Sequence, residues 1–140
     1  MDWDGFVAAL NRHDFDAVTA YFTDDGVLAD HAEGTRDQGK EAIKAYMKRQ
    51  EEEFSSDYQL TIVDTIETAD RFAGVYDLSG THDRPSQQPP LPATGKKYSI
   101  RGVAVGRLQG DRIKEDTLYY NMAEFLAQVG LMPAPASTGG

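Results

Sequence analysis

The sequence has no cysteine, which excludes disulfides, thiolate catalysis and thiolate metal ligands. It also has no apolar run near the roughly 20 residues that span a bilayer. The first residues, MDWDGF, lack the basic flank and apolar core of a signal peptide. We therefore expect no membrane partner and a cytoplasmic location. The length of 140 residues predicts a single domain over residues 1–132, with a flexible tail over 133–140.

Basic residues are scarce, with 14 Lys and Arg against 23 Asp and Glu, so the formal net charge is -9. A nucleic-acid partner needs a basic stripe along the phosphate backbone. The one thin basic cluster, between Lys96 and Lys114, is interleaved with acids and is typical of a solvated sheet surface. We expect no nucleic-acid partner, and the acidity mainly favours solubility.

Cofactor motifs are also missing. The three histidines show no metal-binding spacing such as HExxH or HxH. There is no glycine-rich phosphate loop and no Ser-His-Asp nucleophile elbow. We therefore expect no metal and no other cofactor.

Apolar residues recur at helical spacing in four segments. Asp14 is placed to cap the second of them, after which TDDG reads as a turn, VLAD as a short strand and EGTRDQG as a loop. The four predicted helices are WDGFVAAL, FDAVTAYF, KEAIKAYMKRQEEEF and MAEFLAQV.

The second half of the chain is rich in β-branched and aromatic residues, which favour strands. A tight turn at residues 109–111 joins the last two strands, and a loop with four of the six prolines, DRPSQQPPLPATGK, separates the strand pairs. This order predicts an α+β fold in which a curved antiparallel sheet wraps around helices as a cone, with a small-molecule pocket in its mouth. The predicted strands are YQLTIVDTIE, RFAGVYDLSGTH, KYSIRGVAVGRL and RIKEDTLYYN.

Two stretches resemble the NTF2-like superfamily. ALNRHDFDAVTAYFTDDGVLADHAEGTRDQGKEAIKAY is similar to the opening of ketosteroid isomerases and SnoaL-like cyclases. GTHDRPSQQPPLPATGKKYSIRGVAVGRLQGDRIKEDTLYYNMAEFLAQVGL resembles the SnoaL-like polyketide and ester cyclase branch, with its GTH, P-x-T-G and Q-x-G-L segments. The resemblance implies the cone fold, a homodimer and a small-molecule ligand. The superfold hosts isomerases, cyclases, hydrolases and binders, so it does not choose the reaction.

The resemblance places Asp30 where the isomerases have their proton-abstracting aspartate. A carboxylate in an apolar cone has a raised pKa and can act as a base. The alternative is an aspartate at a strand end in water. Its neighbour His31 is a second catalytic candidate, although successive strand residues point to opposite faces and one of the two is then expected to face out.

Asn121 stands where SnoaL-like cyclases have an acid/base aspartate. An amide cannot transfer protons but can donate a hydrogen bond to an oxyanion. Asn is equally favoured as the cap of the helix that follows. The isomerase oxyanion donors fall at Phe6 and Ala104, where neither residue can donate, so steroid isomerisation is not expected.

A two-residue turn between the last strands places alternate residues of each on one face. Ile100, Gly102, Ala104, Gly106 and Leu108 would then share the cavity face with Ile113, Glu115, Thr117, Tyr119 and Asn121. Glu115 and Tyr119 are therefore candidate substrate-binding groups. The opposite face would carry Val103, Val105, Leu118 and Tyr120 and form the homodimer interface.

Tyr21, on the apolar face of the second helix, and His82, at the end of GTH, complete the set of candidate substrate-binding residues. Together the residues predict cofactor-free acid/base chemistry on a largely apolar carbonyl substrate: isomerisation, cyclisation or water addition. Two alternatives remain: a binding module with the same pocket and no catalysis, and a dimerising scaffold whose interior is filled by its own side chains.

Overall fold

The computed structural model describes residues 1–87 and 90–133. Three of the four helices begin at a side-chain cap that satisfies a free backbone N–H. Asp2 accepts from Gly5 N (2.9 Å), Asp14 from Ala17 N (3.1 Å) and Asn121 from Glu124 N (3.1 Å). The helices are α1 (Trp3–Asn11), α2 (Phe15–Thr19), α3 (Lys40–Glu53) and α4 (Met122–Gln128).

Six strands form one curved sheet in the order β2-β1-β8-β7-β4-β3. Neighbours are antiparallel except β1 and β8, which are parallel. A separate small ladder joins β5 to β6. The strands are β1 (Phe22–Asp30), β2 (Thr35–Gln38), β3 (Gln59–Glu67), β4 (Arg71–Thr81), β5 (Ser86–Gln87), β6 (Pro90–Leu91), β7 (Lys97–Gln109) and β8 (Arg112–Tyr120).

The predicted local structure is wrong in four places, in each case because the backbone pairs with a neighbouring strand. Helix α2 ends at Thr19, since Tyr21 O accepts from Ile113 N (2.8 Å) and Phe22 pairs with Ile113. The predicted turn TDDG is an irregular part of β1. The predicted loop EGTRDQG contains β2, which pairs with the edge of β1, and the proline-rich loop contains the β5–β6 ladder.

Helices α1 to α3 pack on the concave face of the sheet, and this confirms the predicted α+β architecture. Phe22, Ile43 and Ile113 are completely buried between them. A second cluster, Tyr98, Ile100, Phe125 and Val129, attaches α4 to β7. The space between the two clusters is where the candidate site lies.

Among the described residues, no helix has both the length and the apolar character that a membrane crossing requires. The predicted tail falls almost entirely on residues 134–140, which lie outside the described residues. The single-domain boundary at residue 132 stays a prediction.

Candidate active site

A cavity of about 180 Å³ lies between the concave face of the sheet and helices α1, α3 and α4. Its wall is mainly apolar. Only two of its lining residues in the described chain carry a charged side chain, Glu33 and Asp116. The aromatic lining residues are Trp3, Phe6, Tyr46, Phe54, Tyr58, Phe72, Tyr76, Tyr98, Tyr120 and Phe125.

Two glycines of β7 let large side chains of β4 lie flat over the sheet. Gly102 pairs with Tyr76 and Gly106 with Phe72. A Cβ atom at Gly102 would overlap the ring of Tyr76, and one at Gly106 would meet the ring of Phe72 at 2.6 Å. The missing side chains therefore leave space for these rings, and the rings define the floor of the cavity.

A β-bulge in β8 decides which residues face the cavity. Leu108 pairs with Ile113 but Arg107 pairs with Glu115, so Lys114 has no partner on β7. The extra residue reverses the alternation beyond it. Asp116, Leu118 and Tyr120 therefore face the cavity, as their presence in its lining shows.

Asp116 carries a buried carboxyl group in the cavity wall. Its side chain is 6% exposed, and no partner for Oδ1 exists among the described residues. Burial raises its pKa to about 7, since a charged carboxylate is costly where no donor or cation compensates it. A carboxyl group that titrates near neutrality can accept or donate a proton with little driving force in either direction.

Tyr76 presents its hydroxyl group near Asp116. Burial raises the pKa of this phenol, and the charges of Asp116 and Asp30 raise it further. The Tyr76 hydroxyl makes no hydrogen bond to the residues that the structure describes, so its proton is available to a ligand oxygen.

Asp30 has a different environment from the one expected of a base. Its side chain is 1% exposed and does not line the cavity. Oδ2 accepts from the hydroxyls of Tyr46 (2.6 Å) and Tyr120 (2.8 Å), and Oδ1 accepts from Glu33 N (2.9 Å). With both oxygens occupied, Asp30 is suited to fix the positions of two cavity tyrosines.

Glu33 is the second carboxyl group of the lining. Burial raises its pKa to about 7, with a further contribution from the charge of Asp30. Its Oε2 atom accepts a long hydrogen bond from Gln50 Nε2 (3.3 Å). Like Asp116, it therefore lies where a negative charge is only partly compensated.

The other two predicted catalytic residues lie away from the cavity. His31 is exposed, and its ring lies 5.1 Å from that of Tyr119. It faces out because Asp30, the preceding strand residue, faces in. Asn121 is exposed too and uses its side chain to cap α4, so the predicted capping alternative describes its contacts.

The predicted substrate-binding residues are likewise outside the lining. The bulge at Lys114 turns Glu115 and Tyr119 to the outer face, where Tyr119 is 46% exposed, so the predicted register is wrong beyond Ile113. Tyr21 packs edge-on against Phe6 (5.8 Å), and its hydroxyl donates to Asp2 Oδ2 (3.3 Å).

His82 is completely buried but does not line the cavity. Its Nδ1 atom lies 3.0 Å from Thr94 Oγ1, and its ring packs edge-on against Phe125. Burial lowers the pKa of His82. The contacts tie the proline-rich loop to α4, which is a structural role.

Sequence reasoning missed Asp116, Glu33 and Tyr76 as site residues. One signal was present: Lys114, Glu115 and Asp116 are three consecutive polar residues within a strand, which breaks the alternation and indicates a bulge.

The outer face of the sheet exposes Val103, Val105 and Tyr119. Its role as a homodimer interface stays a prediction. In residues 1–87 and 90–133 there is no cluster of three potential metal ligands.

Replacing Asp30 by asparagine is expected to lower the free energy of unfolding by about 2 kcal/mol, because the amide nitrogen cannot accept from a tyrosine hydroxyl or from Glu33 N. Urea unfolding measures the change. Tyr46→Phe is the matched comparison, because it removes only one of the three hydrogen bonds to Asp30 and should lower the free energy of unfolding by less. An Asp30→Asn protein as stable as the parent would show that these bonds contribute nothing.

Comparison with solved structures shows the same fold across nearly the whole chain. A Catenulispora acidiphila protein with a ketosteroid isomerase-like fold, crystallised with trimethylamine, is 22% identical, with a TM-score of 0.80 and coverage of 96% of this chain and 95% of that one. AclR of Streptomyces galilaeus, a candidate hydroxylase, is 23% identical, with a TM-score of 0.77 and coverage of 96% and 82%.

A candidate polyketide cyclase from Xanthomonas campestris is 26% identical, with a TM-score of 0.72 and coverage of 91% of this chain and 93% of that one. No curated protein matches the sequence. The family model described as the SnoaL-like domain matches residues 3–116. The chain therefore belongs to the SnoaL-like family, on the NTF2-like, ketosteroid isomerase-like fold that the sequence predicted.

Proposed function

We propose that this protein is an enzyme that performs acid/base chemistry on a small, largely apolar carbonyl compound, by isomerisation, cyclisation or water addition. The observation that carries the proposal is Asp116, a buried carboxyl group in the wall of an apolar cavity, whose Oδ1 atom has no hydrogen-bond partner in residues 1–87 and 90–133. A buried polar group without a partner destabilises a fold, and its presence in a cavity wall is typical of functional sites.

The reaction step needs two groups. Asp116 in its ionised form accepts a proton from the carbon next to the substrate carbonyl. The electron pair of that C–H bond moves into the carbonyl, whose oxygen becomes an enolate oxygen and accepts a hydrogen bond from the Tyr76 hydroxyl. Asp116 then returns the proton to another carbon or to an oxygen, which gives isomerisation or prepares ring closure.

Asp30 is a positioning residue in this proposal, rather than the general base that the resemblance implied. It holds the hydroxyls of Tyr46 and Tyr120 at the cavity wall through two short hydrogen bonds. Fixed polar groups in a dry site keep their orientation during the reaction, which lowers its barrier.

Family membership supports small-molecule chemistry of the cyclase or isomerase type, as does the likeness to the Xanthomonas candidate cyclase. A binding module with the same cavity is the rival. It is disfavoured because a module that only stores an apolar ligand has no need of a carboxyl group that titrates near neutrality.

The test is α-proton exchange. Cyclic ketones such as cyclohexanone and α-tetralone are incubated with the protein in D₂O, and loss of the α-proton signal is followed by NMR. We expect exchange faster than in buffer for the ketones that fit. Ala104→Phe, which fills the cavity, should lower the rate by about tenfold, as expected when substrate access is lost.

Val105→Phe is the matched control, because Val105 is the next residue on β7 and lies on the outer face. It should exchange like the parent protein. Exchange at the buffer rate for every ketone, together with binding detected through the fluorescence of Trp3 in the cavity wall, would identify the protein as a binder.

A further inference from the structure

We propose that the ligand of this cavity carries a protonated amine, which binds at Asp116 while its apolar part packs against the surrounding aromatic rings. The inference deepens the proposed function by naming the charge of the substrate. The role of the amine in the reaction rests on the proposed function, whereas the binding of the amine does not.

Charge in the cavity wall has one sign. The lining contains two carboxyl groups and, among the described residues, no Lys, Arg or His. Asp116 Oδ1 is buried and has no hydrogen-bond partner within the described part of the chain. Buried charges in proteins are normally paired, so a ligand that supplies the missing cation would satisfy the site.

The surroundings of Glu33 add negative charge. Asp30 and Glu53 act on it with the same sign, and Arg49 with the opposite sign. Arg49 lies with its guanidinium carbon 5.6 Å from the centre of the Tyr46 ring and does not line the cavity. The charge of Arg49 lowers the pKa of Glu33 by less than burial raises it, so this pKa still lies at about 7.

Aromatic rings provide the second, independent part of the site. Ten lining residues are Phe, Tyr or Trp. The faces of such rings carry negative electrostatic potential and attract ammonium groups, most strongly where water is excluded. The formal net charge of -9 also draws cations toward the protein. Aromatic rings, carboxyl groups and the absence of lining bases together fit an organic ammonium ion.

An alkylamine stays protonated at neutral pH. When it binds, its charge favours the ionised form of both carboxyl groups, so protons leave the site. An ionised Asp116 is also the form that accepts a proton from carbon in the proposed reaction. A neutral ligand of equal shape gives no such compensation, so the ionisation of the carboxyl groups then depends only on the pH.

The test compares 2-phenylethylamine with 2-phenylethanol, which differ in charge but hardly in shape. Binding is followed through the fluorescence of Trp3, the single tryptophan, which lies in the lining. Near pH 8 we expect the amine to bind at least tenfold more tightly than the alcohol. Near pH 5.5 the preference should disappear, because both carboxyl groups, with pKa values of about 7, are then protonated.

Asp116→Asn should reduce the preference for the amine near pH 8 by at least threefold, and Glu33→Gln, which removes the other negative charge of the lining, should reduce it by less. Glu52→Gln is the control, since Glu52 is exposed on the same helix as the cavity residue Tyr46. An amine that binds no better than the alcohol, or that does not bind, overturns the inference, as does a preference that survives in Asp116→Asn. Ketone exchange is measured separately, so either proposal can fail without the other.

Discussion

Asp116→Asn is expected to lower the rate of α-proton exchange at least about 100-fold, because an amide cannot accept the proton. The substitution keeps the size and shape of the side chain, and Asp116 makes no hydrogen bond among the described residues that the change could break. The loss should therefore appear in the rate constant at saturating ketone rather than in the Michaelis constant. In the parent protein, exchange should rise with pH up to about 7, where Asp116 becomes ionised.

The same variant is expected to be more stable than the parent protein near pH 8. Burial raises the pKa of Asp116 to about 7 in the folded state, above its unfolded value of about 3.9. A carboxyl group with a raised pKa contributes stability below its unfolded pKa, and that contribution is lost as the pH rises through its folded pKa. Removing the charge should therefore add about 2 kcal/mol near pH 8, after allowance for an unpaired amide.

Urea unfolding near pH 4 and near pH 8 measures this prediction. The free energy of unfolding of the parent protein should fall between pH 4 and pH 8, and Asp116→Asn should make this fall smaller. The ionisation of Glu33 accounts for part of the fall that remains in the variant. Asp111→Asn, an exposed change in the β7–β8 turn, should leave both stability and exchange unaltered. A variant that retains the parent rate would remove Asp116 from the proposed reaction.

The helices and long strands could be predicted because their apolar periodicity is local information. Helix α3 was expected over residues 40–54 and runs over Lys40–Glu53. Strand β2 could not be predicted in the same way. Its sequence, TRDQ, has no strand character, and it becomes a strand only because the edge of β1 offers hydrogen-bond partners.

The candidate site depends on contacts that sequence spacing does not specify. Asp30 is buried, and its two tyrosine partners come from α3 and the end of β8, 16 and 90 residues away. Asp116 was overlooked because strict alternation sends it outward, and one unpaired residue, Lys114, reverses that direction. A single bulge therefore places Asp116 in the cavity wall, where the sequence predicted Glu115 and Tyr119.

The bulge leads to the second large prediction: Gly106→Ala should lower the free energy of unfolding by about 3 kcal/mol. A Cβ atom at Gly106 would overlap the backbone oxygen of Glu115 and meet the Phe72 ring at 2.6 Å. The ring could shift, but the oxygen belongs to the bulge and can move only if β8 moves away from β7. Asp116 pairs with Gly106, so that movement should also displace the carboxyl group from Tyr76.

Gly74→Ala separates this close contact from the general effect of replacing a strand glycine. Gly74 lies on the neighbouring strand β4, and a Cβ atom there meets only the Asp64 oxygen, at 3.8 Å, an ordinary contact. The control should change stability by less than about 1 kcal/mol, whereas Gly106→Ala should lose both stability and ketone exchange. If the two variants unfold at the same urea concentration, β8 tolerates a side chain at Gly106. The position of Asp116 would then not depend on close packing of β7 against the bulge.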